Sequence, residues 1–137
     1  MAKKQKAIVL DSWAIIAYLE DEASGEKVAD IIADAHENDI PLLMSVVNAG
    51  EVWYIVAREA STSDADASIK QLRDLGIEFI YADWELAKGA AYFKSRNKMS
   101  FADCFAAALA KLRKAHLITG DPEFKQIESE VSIEWLR

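Results

Sequence analysis

Short apolar runs alternate along the chain with longer segments in which apolar residues recur every three or four positions. The runs indicate buried strands, and the spacing of the longer segments indicates amphipathic helices. The predicted strands are residues 6–10, 40–44, 77–81, 116–119 and, at an edge, 131–136. The predicted helices are residues 12–20, 25–37, 45–60, 63–75, 83–95 and 100–115, with a helical turn from Pro122. This alternation predicts an α/β fold with a parallel sheet between two helical layers, three layers in all.

Polar residues at the element boundaries supply the signals that begin the predicted helices. We expect Ser12 to cap the first helix and Asp83 the fifth, because both side chains can accept a hydrogen bond from a free backbone N–H. Ser63 and Asp66 have the spacing of a capping box, which predicts the start of the fourth helix. Since no repeat or linker interrupts the pattern, we expect a single domain over residues 1–137.

Composition narrows the class of protein. The chain has 137 residues and is 52% hydrophobic, which suits a globular domain and excludes a disordered chain. Its first ten residues combine lysines with an apolar run, but Asp11 and Glu20 interrupt the apolar stretch that a signal peptide needs. The single cysteine, Cys104, cannot form an internal disulfide, in keeping with a reducing compartment. We therefore expect a cytoplasmic protein with no membrane span.

Charge gives two opposing indications. The net charge of -7 argues against a nucleic-acid partner, because phosphates repel an acidic surface. Residues 88–114, however, contain seven Lys and Arg residues and one acid, Asp103. A solvated helix face is the simpler interpretation of such a run. The single acid inside it leaves a functional interpretation open.

Four carboxylates are placed where they can converge. Asp11 directly follows the first strand and Asp121 lies just beyond the fourth, at the edge where α/β sheets bind ligands. Glu51 and Asp103 lie in the first turns of two helices that follow strands or loops at that edge. Carboxylates without histidine or cysteine partners suit Mg²⁺ or Mn²⁺, and such a site is typical of phosphodiester hydrolysis.

Each acid also fits an ordinary structural role. Asp11 can cap a helix, and Asp103 completes a variant of the capping box. Glu51 can pair with Arg58 or a lysine, and Asp121 lies in a Gly-Asp-Pro sequence that suits a turn. Only their joint placement at one sheet edge favours a role in chemistry.

Other chemistries find little support in the sequence. It contains no glycine-rich phosphate loop and no Gly-x-Ser-x-Gly motif. His36 and His116 lack partners at zinc-ligand spacing. Cys104 lies in an apolar helix, which predicts a core residue and not a nucleophile. Aromatic residues such as Trp53 and Tyr54 are expected in the core or in dimer contacts.

Four motifs, in order, resemble those of PIN domains. They are Ile-Val-Leu-Asp11-Ser12 before an apolar helix, Ser45-Val-Val-Asn48-Ala-Gly-Glu51-Val, Ser100-Phe-Ala-Asp103-Cys-Phe-Ala-Ala-Ala, and Leu117-Ile-Thr119-Gly-Asp121-Pro-Glu-Phe124. The resemblance covers almost the whole chain. In length and motifs the chain most resembles the VapC-like toxins of type II toxin–antitoxin systems.

The resemblance implies a sequence-selective endoribonuclease that depends on Mg²⁺ or Mn²⁺. It also implies a homodimer, with Trp53 and Tyr54 as candidate contacts, and a small antitoxin as partner. Where the family often has a further Asp, this chain has Glu123, which leaves any second-metal role open. The matched acidic positions are Asp11, Glu51, Asp103 and Asp121, the hydroxyl positions beside the metals are Ser12 and Thr119, and RNA affinity would rest on Lys94, Arg96, Lys98 and Arg113.

Two other classes remain as alternatives. One is a non-catalytic PIN-like scaffold or partner-binding module, against which the intact set of four acids argues. The other is a receiver-type signalling domain, which needs paired acids after the first strand. Asp11 has no acidic neighbour, and the third predicted strand leads to Asp83, which is placed to cap a helix.

Overall fold

A parallel sheet of five strands forms the centre of the molecule. The structure, a computed structural model, describes residues 6–137; residues 1–5, part of the lysine-bearing start, lie outside them. The strands are β1 (Ile8–Leu10), β2 (Leu42–Ser45), β3 (Ile77–Ile80), β4 (His116–Thr119) and β5 (Ile133–Trp135). The helices are α1 (Ser12–Leu19), α2 (Ala23–Glu37), α3 (Val46–Glu59), α4 (Thr62–Asp74), α5 (Trp84–Arg96) and α6 (Phe101–Arg113), followed by a 3-10 helix (Pro122–Ile127).

Both faces of the sheet are covered, which confirms the predicted three layers. Val9 pairs with Leu43 and Leu117 on the neighbouring strands, and these side chains pack with residues of α5 and α6. Leu10 and Ile118, on the opposite face, pack with residues of α1, α2, α3 and α4. Because successive strand residues point to opposite faces, continuous apolar runs are what a doubly covered sheet requires.

The strand order determines where a site can form. The sheet runs β3-β2-β1-β4-β5, so the chain moves outward from β1 in one direction and later returns to its other side. The crevice at this reversal lies beyond the carboxyl ends of β1 and β4. Asp11 directly follows β1, and Asp121 is the second residue after β4. The predicted edge position of β5 is confirmed.

Two predicted helix caps were wrong. α1 is capped by Asp11, whose side chain accepts a hydrogen bond from the Ala14 backbone N–H. The hydroxyl of Ser12 instead donates to the backbone oxygen of Asn48, 3.3 Å away, because Ser12 lies inside the helix and faces α3.

The second correction concerns α4, which begins two residues earlier than Ser63 and Asp66 predict. Its cap is Ser61, whose hydroxyl accepts a hydrogen bond of 3.0 Å from the backbone N–H of Asp64. The strand predicted from residue 6 likewise begins at Ile8, and the one predicted from residue 40 begins at Leu42.

Helix α6 is the most deeply buried helix of the described chain. It packs against α5, α3 and three strands, and every residue from Asp103 to Ala110 is buried. Its small alanine side chains allow close packing, and its first turn presents Asp103 at the carboxyl edge of the sheet. Among residues 6–137, no helix combines the length and apolar character needed to span a bilayer.

Candidate metal centre

A cavity of about 530 Å³ opens at the carboxyl edge of the sheet. Residues of α1, α3 and α6 and of the segment after β4 line it. Three of the four predicted acids, Glu51, Asp103 and Asp121, are among them, together with Glu123. The fourth, Asp11, is fully buried next to this cavity, close enough to Asp121 and Glu51 for their charges to affect its pKa. We call this space the acidic cavity.

Asp11 is both a helix cap and a buried carboxylate. One oxygen accepts the Ala14 N–H at 2.8 Å, and the other accepts the Thr119 hydroxyl at 2.5 Å. Burial raises the pKa of Asp11 to about 7, the two hydrogen bonds lower it, and the charges of Asp121 and Glu51 raise it. The capping role predicted for an Asp at this junction therefore coexists with an unfavourable negative charge.

Asp103, Asp121 and Glu123 form the tightest group of acids in the described residues. One carboxylate oxygen from each lies within 4.8 Å of the others. Asp103 reaches the group from α6, where its backbone N–H, and not its side chain, bonds the capping Ser100. Asp121 begins the 3-10 helix by accepting the Glu123 backbone N–H at 2.9 Å. That turn brings residues 121 and 123 to the same side, facing α6.

The charge of this group is not compensated within the described part of the chain. Burial raises the pKa of Asp103 well above its usual range, as do a hydrogen bond shared with Glu123 and the charges of Asp121 and Asp11. The ion pairs found in residues 6–137 involve none of these acids. A hard divalent cation would relieve the repulsion, and carboxylate oxygens are the ligands it prefers. The residues present therefore fit Mg²⁺ or Mn²⁺.

Glu51 enters the acidic cavity from the second turn of α3. Within the described residues it forms no ion pair with Arg58 or a lysine, so the pairing considered from the sequence is not seen. Its nearest polar contact is the Tyr54 hydroxyl, which donates over a long distance of 3.5 Å. Arg58 lies over the Tyr54 ring, 5.1 Å from its centre.

Two buried polar residues hold the acids in position. The Thr119 hydroxyl donates to Asp11 and accepts the Asp121 N–H at 3.0 Å, so it connects an acid after β1 with one after β4. The Asn48 amide nitrogen donates to the Ser12 hydroxyl at 3.3 Å and to the Ala102 backbone oxygen at 3.0 Å. Asn48 thus joins α3 to α1 and α6, the helices next to three of the acids.

Sequence reasoning missed the roles of Asn48 and Glu123. In the sequence Asn48 is only one position of the second PIN-like motif, although a polar residue one turn before Glu51 in an apolar helix is a usable indication of a role. Its side-chain oxygen is buried without a hydrogen-bond partner in the described residues. Glu123 was left open because the motif comparison expected Asp there. The structure places it beside Asp103 and Asp121.

Two of the four cations predicted to contact RNA are engaged within the protein. Arg96 pairs with Glu130 at 2.8 Å and stacks on Tyr92, 4.2 Å from the ring centre. The Lys94 ammonium donates to the Met99 backbone oxygen at 2.6 Å. Lys98 and Arg113 are exposed.

The candidate dimer contacts differ in exposure. Tyr54 is 45% exposed, whereas Trp53 is half-buried and its indole N–H donates to Asp66 at 2.9 Å. Dimer formation through these residues stays a prediction.

Comparison with known proteins identifies a family and a set of similar folds. The family model for the PIN domain matches residues 8–130. A search of curated proteins gave no match.

The chain is similar in structure to several bacterial proteins. DNA-bound VapBC from Salmonella typhimurium is 14% identical with a TM-score of 0.77, over 97% of this chain and 100% of that one. VapC20 from Mycobacterium tuberculosis, described as a sarcin-ricin loop cleaving toxin, is 17% identical with a TM-score of 0.70, over 88% and 94%. A toxin–antitoxin complex from Klebsiella pneumoniae is 13% identical with a TM-score of 0.70, over 96% and 98%. At these identities the likeness shows a shared fold.

Proposed function

This chain belongs to the PIN domain family, and on that premise we propose that it is a metal-dependent endoribonuclease that hydrolyses RNA phosphodiester bonds. The observation that carries the proposal is the group formed by Asp103, Asp121 and Glu123, whose oxygens converge within 4.8 Å and form no ion pair with a Lys or Arg of residues 6–137. Buried carboxylates with strongly perturbed pKa values cluster at functional sites. A carboxylate that only caps a helix does not need to be buried beside other acids.

Asp103, Asp121 and Glu123 would hold one Mg²⁺ or Mn²⁺ ion, with Asp11 and Glu51 adding negative charge beside them. When bound, the ion would supply an activated water and neutralise charge on the phosphate and the leaving oxygen. The chain's own contribution is to fix the carboxylates. Thr119 donates to the Asp11 carboxylate and accepts the backbone N–H of Asp121, so it fixes one carboxylate and the backbone that carries the other.

The walls of the acidic cavity have a role of their own. Trp13, Ile16 and Ile55 line the same cavity and add apolar surface to it. Such a wall lowers the local dielectric and strengthens electrostatic interactions with a bound phosphodiester. Glu51 stands on the same wall as Ile55, one turn earlier on α3, where it can accept a hydrogen bond from a water in the cavity.

The proposed substrate and partners follow the similar structures. VapC20 is described as cleaving the sarcin-ricin loop, which supports RNA as the substrate class here. Likeness to a toxin–antitoxin complex supports the role of a toxin neutralised by a small antitoxin protein. We extend the proposal to a homodimer in the cytoplasm, with one PIN-like domain spanning residues 1–137.

The proposal is tested by RNA cleavage with the purified protein. Cleavage is expected with Mn²⁺ or Mg²⁺ and is expected to stop in EDTA. Asp103→Asn removes a charge from the cluster and should lower turnover at least ~10²-fold, the scale of losing one preorganised electrostatic group.

Asp83→Asn is the matched control, because it makes the same change at an exposed helix cap that accepts the Leu86 N–H. Asn caps a helix as well as Asp, so this variant should keep full activity. Equal cleavage by wild type and Asp103→Asn, or cleavage that persists in EDTA, would contradict the proposal.

A further inference from the structure

A second, smaller cleft of about 350 Å³ lies directly beside the acidic cavity. Gly120 and Pro122 line it, and they are the two neighbours of Asp121, which lines the acidic cavity. Its other lining residues are Lys125, Trp135 and Arg137. The two spaces are therefore separated by a single residue of backbone. We call this second space the cationic cleft.

Both charged residues of the cationic cleft are available to a ligand. The ion pairs of residues 6–137 join Lys70 to Asp74 and both Arg96 and Lys111 to Glu130, and none involves Lys125 or Arg137. Lys125 and Arg137 are exposed at the mouth of the cleft. In a chain with net charge -7, two cations that form no ion pair within residues 6–137 give this cleft a local positive charge, which suits an anion.

Arg137 is held in place by contacts on two sides. Its Nε donates to the Gly120 backbone oxygen at 3.1 Å, and its guanidinium lies 5.2 Å from the ring centre of Trp13. Trp13 itself lines the acidic cavity, so Arg137 stands at the boundary of the two spaces. The terminal nitrogens of the guanidinium have no hydrogen-bond partner in the described residues. A guanidinium fixed in this way loses little freedom when it binds a phosphate.

Trp135 supplies the aromatic wall of the cleft. It belongs to β5, the edge strand, and its indole N–H donates to a Glu128 carboxylate oxygen at 3.2 Å. The hydrogen bond fixes the ring orientation while part of the ring remains exposed. Cations combined with a fixed aromatic surface are the usual elements of a single-stranded nucleic-acid site, where phosphates pair with the cations and a base stacks on the ring.

We propose that the cationic cleft binds the nucleotide adjoining the bond that is cut, with Lys125 and Arg137 on its phosphate and Trp135 against its base. The inference rests on the proposed ribonuclease function. RNA is favoured over an acidic peptide because the cleft opens next to the proposed hydrolytic cavity, so one strand can occupy both. The cleft thereby provides the positive charge that the net acidic surface lacks.

Binding of a fluorescent single-stranded RNA decamer to the Asp103→Asn protein tests this, since that background suppresses cleavage. Arg137→Gln and Lys125→Gln should each weaken binding about tenfold and reduce the salt slope by about 1. Lys88→Gln is the matched control: Lys88 is exposed on α5 and lines neither space. In the active protein, the cleft variants should raise KM for RNA and leave kcat and Mn²⁺ affinity unchanged.

Unchanged RNA affinity in a variant that combines Arg137→Gln with Lys125→Gln, or an equal loss of affinity in Lys88→Gln, would overturn the subsite. The same variants are also tested with an acidic peptide. If they lose affinity for the peptide and not for RNA, the subsite proposal is overturned and the cleft is assigned to a protein partner. Failure of the ribonuclease function has a different signature. In that case wild type cleaves no RNA with Mn²⁺, yet the cleft variants still weaken RNA binding relative to Lys88→Gln.

Discussion

The two ends of the sheet carry cavities that differ in size and in chemistry. At the amino ends of β1, β4 and β5 lies a cavity of about 800 Å³, larger than the acidic cavity at the carboxyl ends. Isoleucines make up much of its surface, and Asp30, Asp34 and His116 add polar groups. Asp34 is exposed and accepts a hydrogen bond from the Asn38 amide, and His116 bonds the Ser132 hydroxyl at 2.7 Å.

The acidic cavity is smaller, but its clustered carboxylates are less exposed to solvent. Asp103 is buried, Glu51, Asp121 and Glu123 are half-buried, and burial raises the pKa of Asp11 to about 7. Polar groups at the other end are solvated or hydrogen-bonded, so folding there costs little. Cavity volume therefore does not identify the functional site of this protein. The functional site is identified by clustered carboxylates whose charge no Lys or Arg of the described residues compensates.

The largest expected effect is a difference in RNA cleavage between substitutions at the acidic cavity and at the larger cavity. Asp11→Asn preserves a side-chain oxygen to cap α1 but removes charge beside the cluster, and we expect turnover to fall at least ~10²-fold. Asp34→Asn makes the same change at the larger cavity and should leave turnover unaltered. The measurement is RNA cleavage with Mn²⁺, with melting temperatures to show that both variants fold. A comparable loss of turnover in Asp34→Asn would show that the acidic cavity has no special role in catalysis.

The largest effect on stability should appear on titration of the metal-free protein. Burial raises the pKa of Asp11 to about 7 and the pKa of Asp103 to about 9 in the folded state. Folded protein therefore binds more protons than unfolded protein between the ordinary Asp pKa of 3.8 and these values. Stability should therefore increase as the pH falls from 8 to 5 and be lost again as it rises. Urea unfolding in EDTA measures this. Asp103→Asn should flatten the profile, whereas an unchanged profile would show that these carboxylates titrate normally.

A smaller stability effect should come from the backbone at the acidic end. A Cβ on Gly120 would overlap the Trp13 ring, so Gly120→Ala must displace that wall of the cavity. We expect a loss of ~1–3 kcal/mol, the usual cost of overpacking. Gly50→Ala is the control, because a Cβ there meets no atom within 4 Å and α3 should gain ~0.5–1 kcal/mol. Equal unfolding free energies for the two variants would refute the close packing at Gly120.

The smallest effect is expected at the larger cavity. Ser132→Ala removes the hydroxyl that bonds His116, and since this contact is exposed the loss should not exceed ~1 kcal/mol. RNA cleavage should stay at the wild-type rate. A strong loss of activity with an unchanged melting temperature would contradict this expectation and assign a functional role to the larger cavity at the amino ends of the strands.

The sequence predicts the fold better than it predicts local contacts. Strands and helices follow from apolar spacing, which burial on one or two faces imposes directly. Neighbouring capping residues are another matter. Ser61 and Ser63 are equally suitable caps by residue type, and so are the neighbours Asp11 and Ser12. Tertiary packing therefore decides which of them caps the helix.

The candidate site was predictable to a similar limit. Asp11 and Asp121 follow the ends of two strands, so the order of strands and helices is enough to predict that both lie at the carboxyl edge of the sheet. Glu123 joins the cluster because a 3-10 helix begins at Pro122, and Arg96 pairs with Glu130, a residue 34 positions away. Contacts of this kind depend on loop geometry and on distant residues, which a single sequence does not specify.

Mn²⁺ binding tests the central claim most directly, because it needs neither the natural RNA nor a partner. In a calorimetric titration at pH 7.5, wild type and Asp83→Asn should bind Mn²⁺ with equal affinity. Asp103→Asn, with one carboxylate fewer in the cluster of Asp103, Asp121 and Glu123, should bind at least about tenfold more weakly. Absence of binding to wild type, or equal binding by Asp103→Asn, would contradict the assignment of this cluster as a metal centre.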